Sequence, residues 1–187
     1  MEFLDIRKTD EGKFICRYDV DYKTKLGNIK TYEMISRMKE IGSLEDLRKE
    51  NSVDAVILII HSEDGSRILL NKEYRMAVGK EVYNFPAGLI DPGETYEVSA
   101  SRELREETGL ELLRITEVLP QSYSAVGVTN ETSICVIGVA GGNFKPSTSD
   151  EEEIEAGWYT KEEVRELLKT APFASRTQAY CYMWAGK

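Results

Sequence analysis

Glu103, Glu106 and Glu107 crowd together in the stretch GLIDPGETYEVSASRELREETGL, residues 88–110. If the chain is helical there, the i, i+3 and i+4 spacing puts their carboxylates on one face about a turn long. Like charges so placed repel unless something neutralises them, and a hard divalent cation suits oxygen donors of this kind. Such a cation keeps several waters and completes its shell with phosphate oxygens of a substrate, so that the substrate builds half the site. The alternative is a solvated glutamate face with no chemistry.

Positioning those carboxylates requires a helix over 95–108, with Val98 and Leu104, and beside them Ala100 and Ser101, facing inward and Gly109 as the stop. Residues 2–37 read as an antiparallel meander, in which KFICRYDVDY and IKTYEMISR flank the turn KTKLGN. SVDAVILII is a buried strand, HSEDGS a turn and RILLNKEYRMA a second strand, after which VGKEVYNFPAGL leads into the acidic segment. Further strands are expected near 112–121 and 131–140, then a polar loop, GGNFKPSTSDEEE, and a short strand, IEAGWY. TKEEVRELLKT is a helix opened by a Thr160/Glu163 capping pattern, and a last helix starts near Ser175. The class is mixed α and β around a largely mixed sheet.

Composition narrows the partners. The 187 residues suit one domain with a small appendage, and 41% hydrophobic content is enough for a core. Acidic residues number 33 against 24 basic ones, with His61 the single histidine, and the net charge of −9 argues against nucleic acid and anionic membranes as partners. Cys16, Cys135 and Cys181 lie far apart in no metal-type spacing, as a reducing cytoplasm would allow. The longest apolar run, AVILII, is far too short to span a bilayer, and no basic-plus-apolar leader opens the chain. A soluble cytoplasmic protein is expected.

The acidic stretch matches every fixed position of G-x5-E-x7-R-E-U-x-E-E-x-G-U, where U is a bulky aliphatic: Gly88, Glu94, Arg102, Glu103, Leu104, Glu106, Glu107, Gly109 and Leu110. It thereby resembles the Nudix box. The resemblance implies an α/β/α sandwich with a mixed sheet, here preceded by an antiparallel β meander. It implies a Mg²⁺-dependent hydrolase, with Mn²⁺ as the alternative, that cleaves a nucleoside diphosphate linked to another moiety. By the same resemblance Glu103 and Glu107 are metal ligands, with Glu106 as a further one and the Ala87 carbonyl completing the set. Glu94 and Arg102 read as a structural pair that holds the loop and helix in shape, alongside Gly88 and Gly109.

The likeness extends beyond the box. EYRMAVGKEVYNFPAGLIDPGE is similar to the approach to the box in ADP-ribose pyrophosphatases, which marks Arg75 as a substrate contact. GKFICRYDVDYKTKLGNIKTYEMISR resembles the same subfamily's amino-terminal meander, where the matching nucleotide contacts are Phe14, Tyr32, Glu33 and Arg37. Two departures bear on the substrate: Asn84 stands where the subfamily has Glu, and Val126 where it has Pro. The resemblance also implies a general base on the acidic loop after the box, at Glu152, with Glu153 as the alternative and Glu151 a neighbour; otherwise the loop is a solvated run and a box glutamate, Glu106 or Glu107, is the catalytic group. It implies a homodimer in which residues 1–45 provide dimerisation and base recognition while 46–187 form the hydrolase domain. ADP-ribose or a related nucleoside diphosphate sugar is the expected substrate, giving AMP and ribose 5-phosphate from ADP-ribose. The alternatives are another nucleotide sugar such as GDP-mannose, a dinucleotide, or a non-catalytic nucleotide-sensing role. For Phe14 and Tyr32 the competing reading is core-facing strand aromatics.

Overall fold

A computed structural model describes residues 1–49, 52–148 and 153–186. The chain divides into two compact units, residues 1–54 with 121–133, and residues 55–120 with 134–187.

The first unit is built on an antiparallel sheet of β1 (Glu2–Glu11), β2 (Cys16–Lys23) and β3 (Ile29–Ser36), in that order. Strand alternation sends Ile6, Cys16, Tyr18 and Met34 to one side, where Ile41 joins them in a small core. Tyr18 is fully buried and its hydroxyl donates to the Met38 carbonyl at 2.9 Å, as a buried phenol must find a partner. A five-residue helix, α1 (Leu44–Arg48), follows, capped by the Ser43 hydroxyl. Its brevity kept it out of the sequence-based assignment. Residues 121–133 return to this unit through long-range bonds: the Ile35 N–H donates to the Val128 carbonyl, and the Ser36 hydroxyl to Asn130 Oδ1 at 2.7 Å.

The second unit is an α/β/α arrangement. Its sheet runs β10 (Ile154–Thr160), β5 (Arg67–Arg75), β4 (Ala55–His61), β9 (Thr132–Gly141), β8 (Glu111–Tyr123), with β6 (Lys80–Asn84) on β5 and β7 (Ala87–Leu89) on β4. Helix α2 (Tyr96–Thr108) covers one face, where Ala100 and Leu104 pack with Leu58, Ile60, Leu69 and Val136. Helices α3 (Lys161–Thr170) and α4 (Ser175–Gly186) cover the other with Val164, Cys181 and Ala185 against Ile59, Ile68, Leu70 and Phe85. The expected mixed α/β sandwich with an antiparallel amino-terminal meander is thus the observed fold class. The capping box at α3 is complete, Thr160 and Glu163 each accepting from the other's backbone N–H.

One sequence expectation needs correcting on α2. Val98 is 53% exposed and Ser101 only half-buried, while Ser99, Ala100, Leu104, Glu107 and Thr108 form the inward face. The helix is rotated so that two polar groups, Ser99 and Glu107, are buried, each with a hydrogen-bond partner outside the helix, and hydrophobicity alone misjudges that phase. Among the described residues no helix is long and apolar enough to cross a membrane.

Candidate active site

Two glycines explain how the box folds locally. Gly109 ends α2 with φ 76°, its N–H donating to the Arg105 carbonyl, and a Cβ there would lie 2.6 Å from Lys145. Only glycine meets both demands at no steric cost. Gly88, on β7, is needed for space: a Cβ would stand 1.9 Å from Cδ of Glu103. The Glu103 carboxylate therefore lies directly against the β7 backbone, one residue from Ala87.

Arg102 organises the carboxylates. Its Nε donates to Glu94 Oε1 at 3.1 Å and its Nη2 to Glu94 Oε2 at 2.8 Å, a two-pronged pair. Nη1 donates to Glu103 Oε1 at 2.7 Å and to Glu106 Oε2 at 3.3 Å, and Nη2 also reaches the Leu89 carbonyl at 3.0 Å. The Ser99 hydroxyl donates to Glu94 Oε2 at 2.6 Å. The Arg102 guanidinium, with Ser99 adding to it, lowers the Glu94 carboxyl to about 2, and the Glu94 and Glu103 carboxylates raise Arg102 in turn. The loop before α2 is thus tied to the helix by a charged pair that stays ionised.

Glu107 sits differently. It is buried, and its Oε2 accepts from Asn71 Nδ2 on β5 at 2.6 Å. The Asn71 amide satisfies that oxygen and brings no charge of its own. The Oδ1 of Asn71 is buried without a hydrogen-bond partner. Among the described residues no three acidic, histidine or cysteine side chains converge on one point. The glutamates of one helix face are spread instead, Glu103 over Gly88, Glu106 half in solvent and Glu107 into the sheet.

A second polar group lies farther along the same face of β5, at the strand spacing of two residues. Glu73 is buried, and its Oε1 accepts from Asn84 Nδ2 at 2.9 Å and pairs with Arg75 Nε at 2.9 Å. Sequence reasoning named Arg75 but missed Asn71 and Glu73. Their only signal was a polar run, NKEYR, behind the apolar strand start ILL.

The acidic loop is anchored at both described ends. Before it, the Lys145 and Thr148 N–H groups donate to the Thr108 and Glu106 carbonyls at the end of α2. After it, the Glu153 carbonyl accepts from the Tyr74 N–H on β5 at 3.3 Å. Glu151 and Glu152 themselves lie outside the described residues.

The remaining predicted residues belong to the first unit. Phe14 is 64% exposed in the turn between β1 and β2, with the Lys13 ammonium 4.7 Å from its ring centre. Tyr32, on β3, is also exposed, and its hydroxyl donates to the Gly127 carbonyl at 2.6 Å. Neither aromatic is in the core. Tyr32 lines a cavity of about 280 Å³ with Met34, Tyr123, Val126 and Asn130. Arg37 pairs with Glu131, and Glu33 with Arg17 at 3.0 Å.

A family profile of the NUDIX domain matches residues 51–181. The chain belongs to the Nudix family. It is 31% identical over 143 residues to the ADP-ribose pyrophosphatase of Saccharomyces cerevisiae, covering 74% of this chain and 58% of that protein. To the ADP-sugar pyrophosphatase of Mus musculus it is 31% identical over 146 residues, covering 73% of this chain and 62% of that one. The chain thus spans less than two thirds of either relative's length. The crystal structure of an ADP compounds hydrolase superposes with a TM-score of 0.74 over 100% of this chain and 93% of that one, at 17% identity, a likeness of fold.

Proposed function

We propose that this chain hydrolyses the pyrophosphate bond of ADP-ribose or a related nucleoside diphosphate sugar, releasing AMP and ribose 5-phosphate from ADP-ribose. The observation that carries this reading is the intact box geometry, with Glu103 seated on the Gly88 backbone and Glu107 buried against a neutral amide. One guanidinium, Arg102, is shared among three carboxylates, Glu94, Glu103 and Glu106. As oxygen donors, Glu103, Glu106, Glu107 and the Ala87 carbonyl are of the kind taken by Mg²⁺ or Mn²⁺, which draw a few ligands from protein and the rest from water and phosphate. When bound, such a cation shields the diphosphate and lowers the pKa of an attacking water.

The chain's own residues supply the rest. Arg102 and Glu94 hold loop and helix in register, and the neutral Asn71 keeps Glu107 oriented without competing for a cation. Arg75, half-exposed, offers a planar fork to an anionic oxygen. Glu152 is our choice for the group that accepts the proton from water, with Glu153 as the alternative. The anchoring of both flanks of its loop, on α2 and on β5, supports that choice. Phe14 and Tyr32 stack on the base across a homodimer, with Glu33 and Arg37 adding polar contacts; the exposure of both aromatics is consistent with this. The net charge of −9 fits a small-molecule substrate rather than nucleic acid, and cytoplasmic residence.

A second reading is a different nucleotide sugar, such as GDP-mannose, or a dinucleotide. Val126, 79% exposed beside the Gly127 carbonyl that holds Tyr32, favours it as a departure from the resembled subfamily at the candidate base site. Retention of Glu103, Glu106 and Glu107 weighs against a non-catalytic sensor. The test is AMP or GMP release by purified protein with Mg²⁺ from ADP-ribose, NADH, diadenosine polyphosphates and GDP-mannose. ADP-ribose turned over at least tenfold faster than the others supports the first reading, and a preference for any other substrate replaces it.

A further inference from the structure

The Glu73 carboxylate is only 6% exposed, a costly place for a charge unless it is paired and hydrogen-bonded. It is both. Arg75 Nε and Asn84 Nδ2 each approach the same oxygen, Oε1, at 2.9 Å. The Asn84 amide has no freedom to turn: its Oδ1 accepts from the Phe85 N–H at 3.0 Å and from the Thr177 hydroxyl at 2.9 Å, so its NH₂ must face the carboxylate. Thr177 is itself buried on α4. A chain of oriented groups therefore runs from α4 through Asn84 and Glu73 to Arg75.

We infer that Glu73 is a positioning residue that aims Arg75 at an anionic oxygen of the substrate, with Asn84 as the brace that holds Glu73 in place. The guanidinium forms an ion pair with Glu73 through Nε, and among the described residues no side chain pairs with its Nη nitrogens. A fork held this way loses less freedom when it binds a phosphate oxygen than a free side chain does. The location suits that role. Asn71, which holds Glu107, and Glu73 and Arg75 share one face of β5, with Cα positions roughly 7 and 13 Å along from Asn71 at the usual strand rise. Because Nε folds back onto Glu73, the guanidinium is drawn toward the nearer of these distances, within the span of a diphosphate and its attached sugar. The inference rests on the reading above that Arg75 touches the substrate.

The experiment is a double-mutant cycle on Arg75→Ala and Glu73→Gln, reading both KM for ADP-ribose with Mg²⁺ and the calorimetric Kd for ADP-ribose without divalent cation. Arg75→Ala is expected to raise KM and Kd about tenfold with a smaller change in kcat, the loss of one charge-assisted contact. Glu73→Gln should reproduce at least half of that rise on a logarithmic scale although Arg75 is present, and the double variant should be little worse than Arg75→Ala alone. Glu73→Gln combined with Asn84→Asp, which returns a carboxylate to the pair, should recover most of the loss. If Glu73→Gln does not fold, Asn84→Ala serves in its place with a rise of about threefold, again absent on an Arg75→Ala background. Multiplicative effects, or unchanged KM and Kd in the folded Glu73 or Asn84 variant, overturn the inference while leaving Arg75 as a contact. Unchanged KM and Kd in Arg75→Ala overturn the Arg75 contact itself and this inference with it.

Discussion

Gly88→Ala isolates the placement of one carboxylate from everything else in the site. The substitution adds a single methyl group, and the backbone there is not in the left-handed region, so alanine can adopt it without strain. The methyl carbon would stand 1.9 Å from Glu103 Cδ and 2.1 and 2.3 Å from its oxygens, where ordinary contact begins at 3.4 Å. The carboxylate must therefore retreat by the difference, about 1.5 Å. The retreat is sterically cheap because the obstacle is the end of a flexible side chain. What it disturbs is the contact to Arg102 Nη1 at 2.7 Å, a partly exposed pair worth at most about 1 kcal/mol, or about 2–4 °C in Tm for a chain of this size. Catalysis should respond far more, since a misplacement of about 1 Å in a positioning group can cost on the order of 10²-fold. The assay is kcat and KM for ADP-ribose across a Mg²⁺ titration, with Tm measured in parallel and Val98→Ala, exposed on the same helix, as the control. Activity within threefold of wild type in a folded Gly88→Ala protein would refute the claim that Glu103 must rest on the β7 backbone.

Glu107→Gln should lower turnover by several orders of magnitude with the fold intact, and near wild-type activity at saturating Mg²⁺ would remove Glu107 from the proposed metal site. Glu152→Gln should reduce kcat with little change in KM or in cation affinity, while Glu151→Gln is mild; equal, small effects would make the loop a solvated acidic run. Phe14→Ala or Tyr32→Ala should raise KM for ADP-ribose about tenfold through lost stacking, and an efficient monomer in sedimentation would defeat the shared-site idea. The Glu94 carboxyl is lowered from 4.5 to about 2, so its pairing stabilises the fold fully above pH 4.5 and loses that effect as pH falls through about 2. The Tm difference between wild type and Glu94→Gln should be constant above pH 4.5, shrink below it and close near pH 2 in calorimetry.

What the sequence makes legible here is local. The box spacing gives the helix, its stop at Gly109 and the carboxylate face, and the Thr160/Glu163 pair gives the start of α3. These are effects of i, i+3 and i+4 geometry or of a single capped turn, so nearby residues suffice to read them. Contacts closed by distant segments are not legible in the same way. Asn71 meets Glu107 from 36 positions away, and Ser36 meets Asn130 from 94. Nothing in NKEYR says which face of β5 looks at α2; that follows only once Leu69 is seen to pack with Leu104. The inward phase of α2 failed for a related reason. Hydrophobicity nominated Val98, but the helix buries Ser99 and Glu107, polar groups whose partners lie outside the helix.

The division of labour among the box carboxylates follows from the two kinds of partner they meet. Without a cation the segment must still fold, and Arg102 makes that possible by spreading its donors over Glu94, Glu103, Glu106 and the Leu89 carbonyl. A lysine could not do the same, because its compact ammonium lacks the planar fork that meets Glu94 with two nitrogens at once. Glu94 takes the tightest, two-pronged share and is thereby committed to structure. Glu103 and Glu106 take single contacts from Nη1, which a cation can compete for at modest cost since both contacts are partly exposed. Glu107 meets a different partner, an amide that carries no charge. From Glu94 to Glu107 the partner thus changes from a two-pronged guanidinium, through single guanidinium contacts, to a neutral amide. That division lets a single arginine hold loop and helix together while its bonds to Glu103 and Glu106 remain open to exchange for a cation.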